Sequence, residues 1–301
     1  MTEMIRTEAL TKYYGRRRGL AGLDLEVLPG EVYGFLGPNG AGKTTTIRIL
    51  LDLIRPTSGR AELLGEVPRH GGPALRRRVG YVPGDFVVGG GQSGRELLTH
   101  LGYLRGGVPT DRIERLAGRF ELDLSARIGS LSKGNRQKIA VVQGFMHEPE
   151  LLILDEPTIG LDPLMQQRFL ELVAEVRAAG QTVFMSSHIL GEVQQCADRV
   201  GIVRDGKLVA VEAVDTLRRR AVRRVEVHFD APVAADTFGD VPDILDVEVD
   251  GSVMRCRLAG RADALVKALA RFGVAGLTVQ EPDLEELFFV YYRGEEAGNA
   301  A

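Results

Sequence analysis

Along the first two-thirds of the chain, apolar residues come in short unbroken runs; in the last third they alternate with polar ones. Val32-Tyr33-Gly34-Phe35-Leu36, Leu151-Leu152-Ile153-Leu154 and Thr182-Val183-Phe184-Met185 read as strands buried on both faces, as in a parallel sheet. Residues 94–101 and 111–116 space their apolar positions as helices do. Past residue 214 the texture changes. Val225-Glu226-Val227-His228-Phe229 alternates as a half-buried strand. Leu245–Val249 and Val253–Leu258 flank Asp250-Gly251-Ser252, a hairpin signal. Ala262–Phe272 has helical periodicity, and Leu277-Thr278-Val279 reads as a short strand. Residues 283–292 read as a closing amphipathic helix with Asp283 near its N-cap. The last third is therefore predicted to be a small accessory α+β domain over residues 214–294, with antiparallel strands covered by helices. A flexible tail is predicted for 295–301.

The strand Val32–Leu36 runs into Gly37-Pro38-Asn39-Gly40-Ala41-Gly42-Lys43-Thr44, and Thr45-Thr46-Ile47-Arg48-Ile49-Leu50 leaves it as a helix. This is the phosphate-loop pattern G-x-x-x-x-G-K-[ST] in its proper strand–loop–helix setting. Glycines let backbone N–H groups turn inward around a polyphosphate, and the helix N-terminus adds positive potential. Residues Gly37 to Thr45 are expected to hold the polyphosphate. Lys43 is expected to neutralise charge, and Thr44 to ligate Mg²⁺. The run Leu151–Leu154 closes with Asp155 and Glu156. Ligands of parallel sheets gather at the C-terminal strand ends. Asp155 is expected to hold Mg²⁺ there, and Glu156 to polarise the attacking water.

Charge and cysteine content narrow the class. The net charge of the 301 residues is −3, which argues against a nucleic-acid partner. Cys196 and Cys256 are far apart, with neither a disulfide framework nor zinc spacing. No apolar run approaches the length of a membrane span, and the N-terminus lacks a signal-peptide core. A membrane process would need another chain for its membrane part. The arginines at 218–220 and 223–224 form a basic stretch. It reads as a solvated helix end and linker, or as a patch for acidic lipid headgroups or a partner chain.

Four further segments, in order, carry a resemblance. Leu131-Ser132-Lys133-Gly134-Asn135-Arg136-Gln137 resembles the signature of ABC ATPases, usually LSGGQ. Pro157-Thr158-Ile159-Gly160-Leu161-Asp162-Pro163 resembles the D-loop of that family, and Ser186-Ser187-His188 its switch histidine. Tyr13-Tyr14-Gly15 resembles its adenine-stacking aromatic loop, with Tyr14 aligned best. The resemblance spans roughly residues 4 to 212. It implies a P-loop NTPase fold: an α/β ABC nucleotide-binding domain over 1–213, with an inserted helical subdomain at about 86–146. It also implies head-to-tail pairing with a second copy or a homologous ATPase subunit. Ser132 and Gly134 would then contact the nucleotide held by the partner's phosphate loop, Asp162 would link the two sites, and His188 would sense the γ-phosphate.

One position departs from the family pattern. In Gly80-Tyr81-Val82-Pro83-Gly84-Asp85, Gly84 stands where the family has a glutamine that touches Mg²⁺ and water. Asp85 is the expected substitute ligand; the alternative leaves the metal to Thr44, Asp155 and water. The loop Val87-Val88-Gly89-Gly90-Gly91 is permissive backbone.

The C-terminal arrangement, with residues 282–294 reading PDLEELFFVYYRG, resembles the ATPase subunits of ABC-2-type exporters of drugs and antibiotics. That resemblance implies an ATP hydrolase that powers a separate ABC-2-type integral membrane permease from the cytoplasmic face of the membrane. Two other readings stay open. One is an ABC ATPase without transport, although the chain repeats no phosphate loop and has no sustained heptads. The other is an ATP-gated dimerisation module with little turnover, against which Glu156 speaks.

Overall fold

The computed structural model describes residues 2–220 and 223–280; the predicted closing helix, the 282–294 motif and the tail lie outside them. The chain divides into two compact units at Glu212/Ala213.

The first unit opens with β1 (Ile5–Tyr14), β2 (Arg17–Val27) and β3 (Val32–Leu36), followed by α1 (Lys43–Leu50) and β4 (Ser58–Leu63). Next come α2 (Pro68–Arg77), β5 (Val79–Val82) and three helices, α3 (Gly94–Leu104), α4 (Thr110–Arg119) and α5 (Lys133–Phe145). The core then resumes with β6 (Leu151–Asp155), α6 (Pro163–Ala178), β7 (Thr182–Ser187), α7 (Leu190–Cys196), β8 (Arg199–Arg204) and β9 (Lys207–Ala213).

Strands β2-β1-β4 form an antiparallel sheet. A larger sheet has the order β5-β6-β7-β3-β8-β9, and its first five strands are parallel. All residues of β3, β6 and β7 are buried, as their unbroken apolar runs require. Helix α1 joins the two sheets: Ile47, Ile49 and Leu50 pack in one cluster with Leu20, Leu23 and Leu25 of β2 and Phe35 of β3. Register does the rest. Leu36 pairs with Ser187 and Asp155 with Ser186, so the ends of β3, β7 and β6 lie level along one edge. The phosphate loop, Glu156 and His188 all leave the sheet there.

Helices α3, α4 and α5 carry a core of their own, with Leu97, Leu98, Ile113, Ala117, Ile139 and Val142 at its centre. Ser93 starts α3 with a reciprocal capping box to Glu96.

The second unit contains α8 (Val214–Arg220), β10 (Arg223–Phe229), β11 (Ile244–Asp250), β12 (Val253–Leu258), α9 (Asp263–Leu269) and β13 (Val274–Gln280). Its strands form an antiparallel sheet of order β11-β12-β10-β13. One face buries Val225, Val227, Phe229, Met254, Cys256 and Leu258 against Leu265 and Leu269 of α9. Phe229, Phe238 and Phe272 meet with ring centroids 5.5–5.7 Å apart. Both cysteines are free thiols.

Candidate nucleotide-binding and catalytic site

Helix α1 starts at Lys43 with no side-chain cap, so its first-turn N–H groups are left for an anion. The loop before it is held by its backbone: Ala41 N–H donates to Pro38 O at 3.1 Å, and Gly206 N–H to Ala41 O at 2.9 Å. Lys43 is buried. Its Nζ donates to Gly37 O at 2.6 Å and Pro38 O at 3.3 Å, and pairs with Glu156 Oε1 at 3.1 Å.

Asp155 ends β6 below the loop. Its Oδ1 accepts from Ser186 Oγ at 2.7 Å and from Thr44 Oγ1 at 3.2 Å. Burial pushes the Asp155 carboxyl above its ordinary range, while those two hydroxyls and Lys43 pull it back. Glu156 follows with φ +48°, a left-handed conformation that costs a non-glycine residue roughly 1–3 kcal/mol. Its N–H donates to Ser186 O and Ser186 Oγ, both at 3.1 Å, which fixes the turn. The carboxylate lies between Lys43 and His188, with Oε2 3.2 Å from His188 Nδ1. A buried carboxylate, Glu192, ties the neighbouring loops together: it accepts from Thr158 Oγ1 at 2.6 Å and Ser187 Oγ at 2.9 Å.

Lys43, Thr44 and Glu156 open onto a cleft of about 390 Å³, which Asn39, Gly40, Gly42 and Thr45 of the predicted set also line. Tyr14 stands half-exposed on its wall, with Lys12 Nζ 5.2 Å from the ring centroid. Gly37, Pro38 and Ala41 form the frame of the loop. Arg17, Arg18 and Arg48 also line the cleft and were not among the expected residues. The signal for Arg17 and Arg18 was the Arg16-Arg17-Arg18 run near Tyr14.

Asp155 and His188 do not line this cleft themselves but contact Thr44 and Glu156, which do; Ser132, Gly134 and Asp162 do not line it either. Ser132 caps α5, its Oγ accepting from Asn135 N–H at 3.2 Å, and Asp162 caps α6, its Oδ1 accepting from Met165 N–H at 3.0 Å. Gly134 packs against the 157–160 turn so closely that a Cβ would lie 2.6 Å from Gly160 O. Asp85 is exposed on the loop after β5 and does not line the cleft either, while Thr44 and Asp155, whose side chains meet at 3.2 Å, are a pair that could hold a metal. Among the described residues no cluster of three or more His, Cys, Asp or Glu could hold a metal by itself. One hydroxyl and one carboxylate nonetheless suit Mg²⁺, which keeps waters and takes its other ligands from substrate phosphates.

The ABC transporter family pattern matches residues 20–159. The bacitracin transport ATP-binding protein BcrA of Bacillus licheniformis is 35% identical over 99% of this chain and 100% of its own length. The daunorubicin resistance ATP-binding protein DrrA3 of Streptomyces coeruleorubidus is 33% identical over 94% of each chain. A solved ATP-binding subunit of an ABC transporter superposes with a TM-score of 0.66 at 32% identity, covering 72% of this chain and 92% of that one. The chain belongs to the ABC transporter family. It has the ABC ATPase fold and is an ATP-binding, ATP-hydrolysing subunit that serves a separate membrane permease. Among the described residues no helix is long and apolar enough to cross a membrane.

Proposed function

We propose that this subunit drives export of an antibiotic-like amphipathic small molecule through an ABC-2-type permease, from the cytoplasmic face of the membrane. The support for the substrate class is end-to-end likeness to relatives named for bacitracin transport and daunorubicin resistance. Support for the chemistry is a single constellation: Glu156 flanked by Lys43 Nζ at 3.1 Å and His188 Nδ1 at 3.2 Å, directly beside the Thr44–Asp155 pair.

In this reading Tyr14 stacks on adenine, and the N–H groups of residues 37–45 cradle the phosphates. A triphosphate competes with Glu156 for Lys43, because it brings more charge to the same ammonium. Glu156, released toward the cleft, orients and deprotonates the attacking water. His188 steadies that carboxylate and reaches the γ-phosphate. Mg²⁺, held by Thr44 and Asp155, would offset phosphate charge. Ser132, Gly134 and Asp162 act across a head-to-tail pair of subunits, closing the partner's cleft. Positioning and charge neutralisation carry most of the acceleration, since phosphoryl transfer needs little covalent help.

The test is ATP hydrolysis against protein concentration for the wild type and Glu156→Gln, with sizing in Mg-ATP. The expected result is cooperative turnover by the wild type. The variant should bind ATP, lose at least about 99% of turnover and accumulate as a dimer. Turnover proportional to monomer concentration, or a fully active Glu156→Gln, would overturn the shared-site mechanism.

A further inference from the structure

Gln137, on the first turns of α5, is a buried polar side chain. Its Nε2 donates to Pro83 O at 3.2 Å and to Pro157 O at 3.0 Å. Both partners are carbonyls, so the amide must present its nitrogen to them. Pro83 opens the loop that carries Gly84, and Pro157 follows Glu156 directly. Gly84 itself lies against the end of β6: a Cβ there would sit 2.8 Å from Asp155 O and 3.7 Å from Glu156 Cβ. The loop therefore touches the catalytic strand end through backbone alone, and Gln137 bridges the loop to the far side of the same Asp155-Glu156 pair. A second glutamine of α5, Gln143, donates to Tyr81 O and binds β5 without reaching residue 157.

We propose that Gln137 is the positioning residue through which α5 and the Pro83–Gly84 loop set the aim of Glu156. The two hydrogens of one amide clamp both flanks of the strand end. A movement of the α3–α5 helices is thus delivered to the hydrolytic carboxylate even though residue 84 has no side chain to carry it. The inference rests on the ATPase reading of the cleft.

The test compares Gln137→Met, Gln137→Leu and Gln143→Met in steady-state ATP hydrolysis, with a fluorescent ATP analogue for affinity and circular dichroism for the fold. Glu156→Gln serves as the reference in the same assay. Loss of the clamp should lower kcat about tenfold or more, as ångström-scale misplacement does, while KM and analogue affinity stay within about twofold. Gln143→Met, which costs one helix–strand bond, should keep kcat within about threefold. The proposal fails if both Gln137 variants keep near-normal kcat, if kcat and affinity fall together, or if Gln143→Met loses as much. It also fails if neither Gln137 variant folds, for the amide is then a stability element. A dead Glu156→Gln beside a normal Gln137→Met removes only this proposal; an active Glu156→Gln removes the site reading itself.

Discussion

Lys43 is the residue on which the cleft turns. Its ammonium is buried with two carbonyls and one carboxylate as partners. Lys43→Ala strands those acceptors and removes the charge a triphosphate needs. ATP affinity, measured by titrating a fluorescent analogue, should fall at least about tenfold, and turnover should vanish with it. Arg17 and Arg18 differ in kind, being exposed on the cleft wall. Arg17→Ala or Arg18→Ala should weaken binding by about threefold at low salt and less at high salt, because exposed charges are screened. The same contrast explains what could be read in advance. The phosphate loop is legible because its geometry is written in consecutive residues. A run of arginines looks the same on a cleft wall as on a solvated face. The setting of Asp85 was not legible, because the sequence shows a carboxylate next to the glycine but not the contact of Gly84 with Asp155 O, beside which Asp85 stands exposed to solvent.

At the scale of elements, the buried parallel strands announced themselves, while the β2-β1-β4 sheet did not. Its first strand breaks alternation: the register shifts between Thr7 and Leu10 and again toward Tyr13, and Ala9 has φ +46°. A bulged strand has no clean period to find. The docking of α5 on β5 was likewise hidden, since it runs through the close approach of Gly80 to Gly144 and through Gln143 donating to Tyr81 O. Just past α5, His147 Nε2 lies 3.2 Å from Val79 O. Burial first, then the positive charges of Arg105 and Arg112, holds this imidazole down to about 4. Arg105 also donates to Val79 O, and Arg112 pairs with Glu148. A histidine whose folded value lies below its ordinary 6.5 favours the fold when neutral. Its contribution is intact above pH 6.5 and is lost as pH falls toward 4. Denaturant unfolding of wild type and His147→Gln should therefore diverge across that window. The wild type should lose stability faster, by up to about 1.4 kcal/mol per pH unit, the slope of one proton. Parallel pH curves would mean that the ring is not buried neutral.

For the whole molecule, the change from unbroken runs to alternation reports two kinds of sheet. Five parallel strands are covered on both faces, whereas among the described residues the second unit's antiparallel strands turn only one face to a core. The units also have separate apolar clusters, and every residue of the nucleotide cleft lies in the first. A ligand that binds the native state stabilises only the cooperative body that holds its site. Scanning calorimetry of Glu156→Gln, which should bind ATP without consuming it, separates the two bodies. Mg-ATP at a hundred times its Kd adds about 2.7 kcal/mol to the first unit. For a body of that size this is a rise of roughly 5–10 °C in Tm. The second unit's transition should stay where it was, so the two endotherms move relative to each other as ATP is added. A single endotherm shifting as a whole would instead mean that the two units unfold as one, and that ATP binding is felt in the core of the second unit as strongly as in the first.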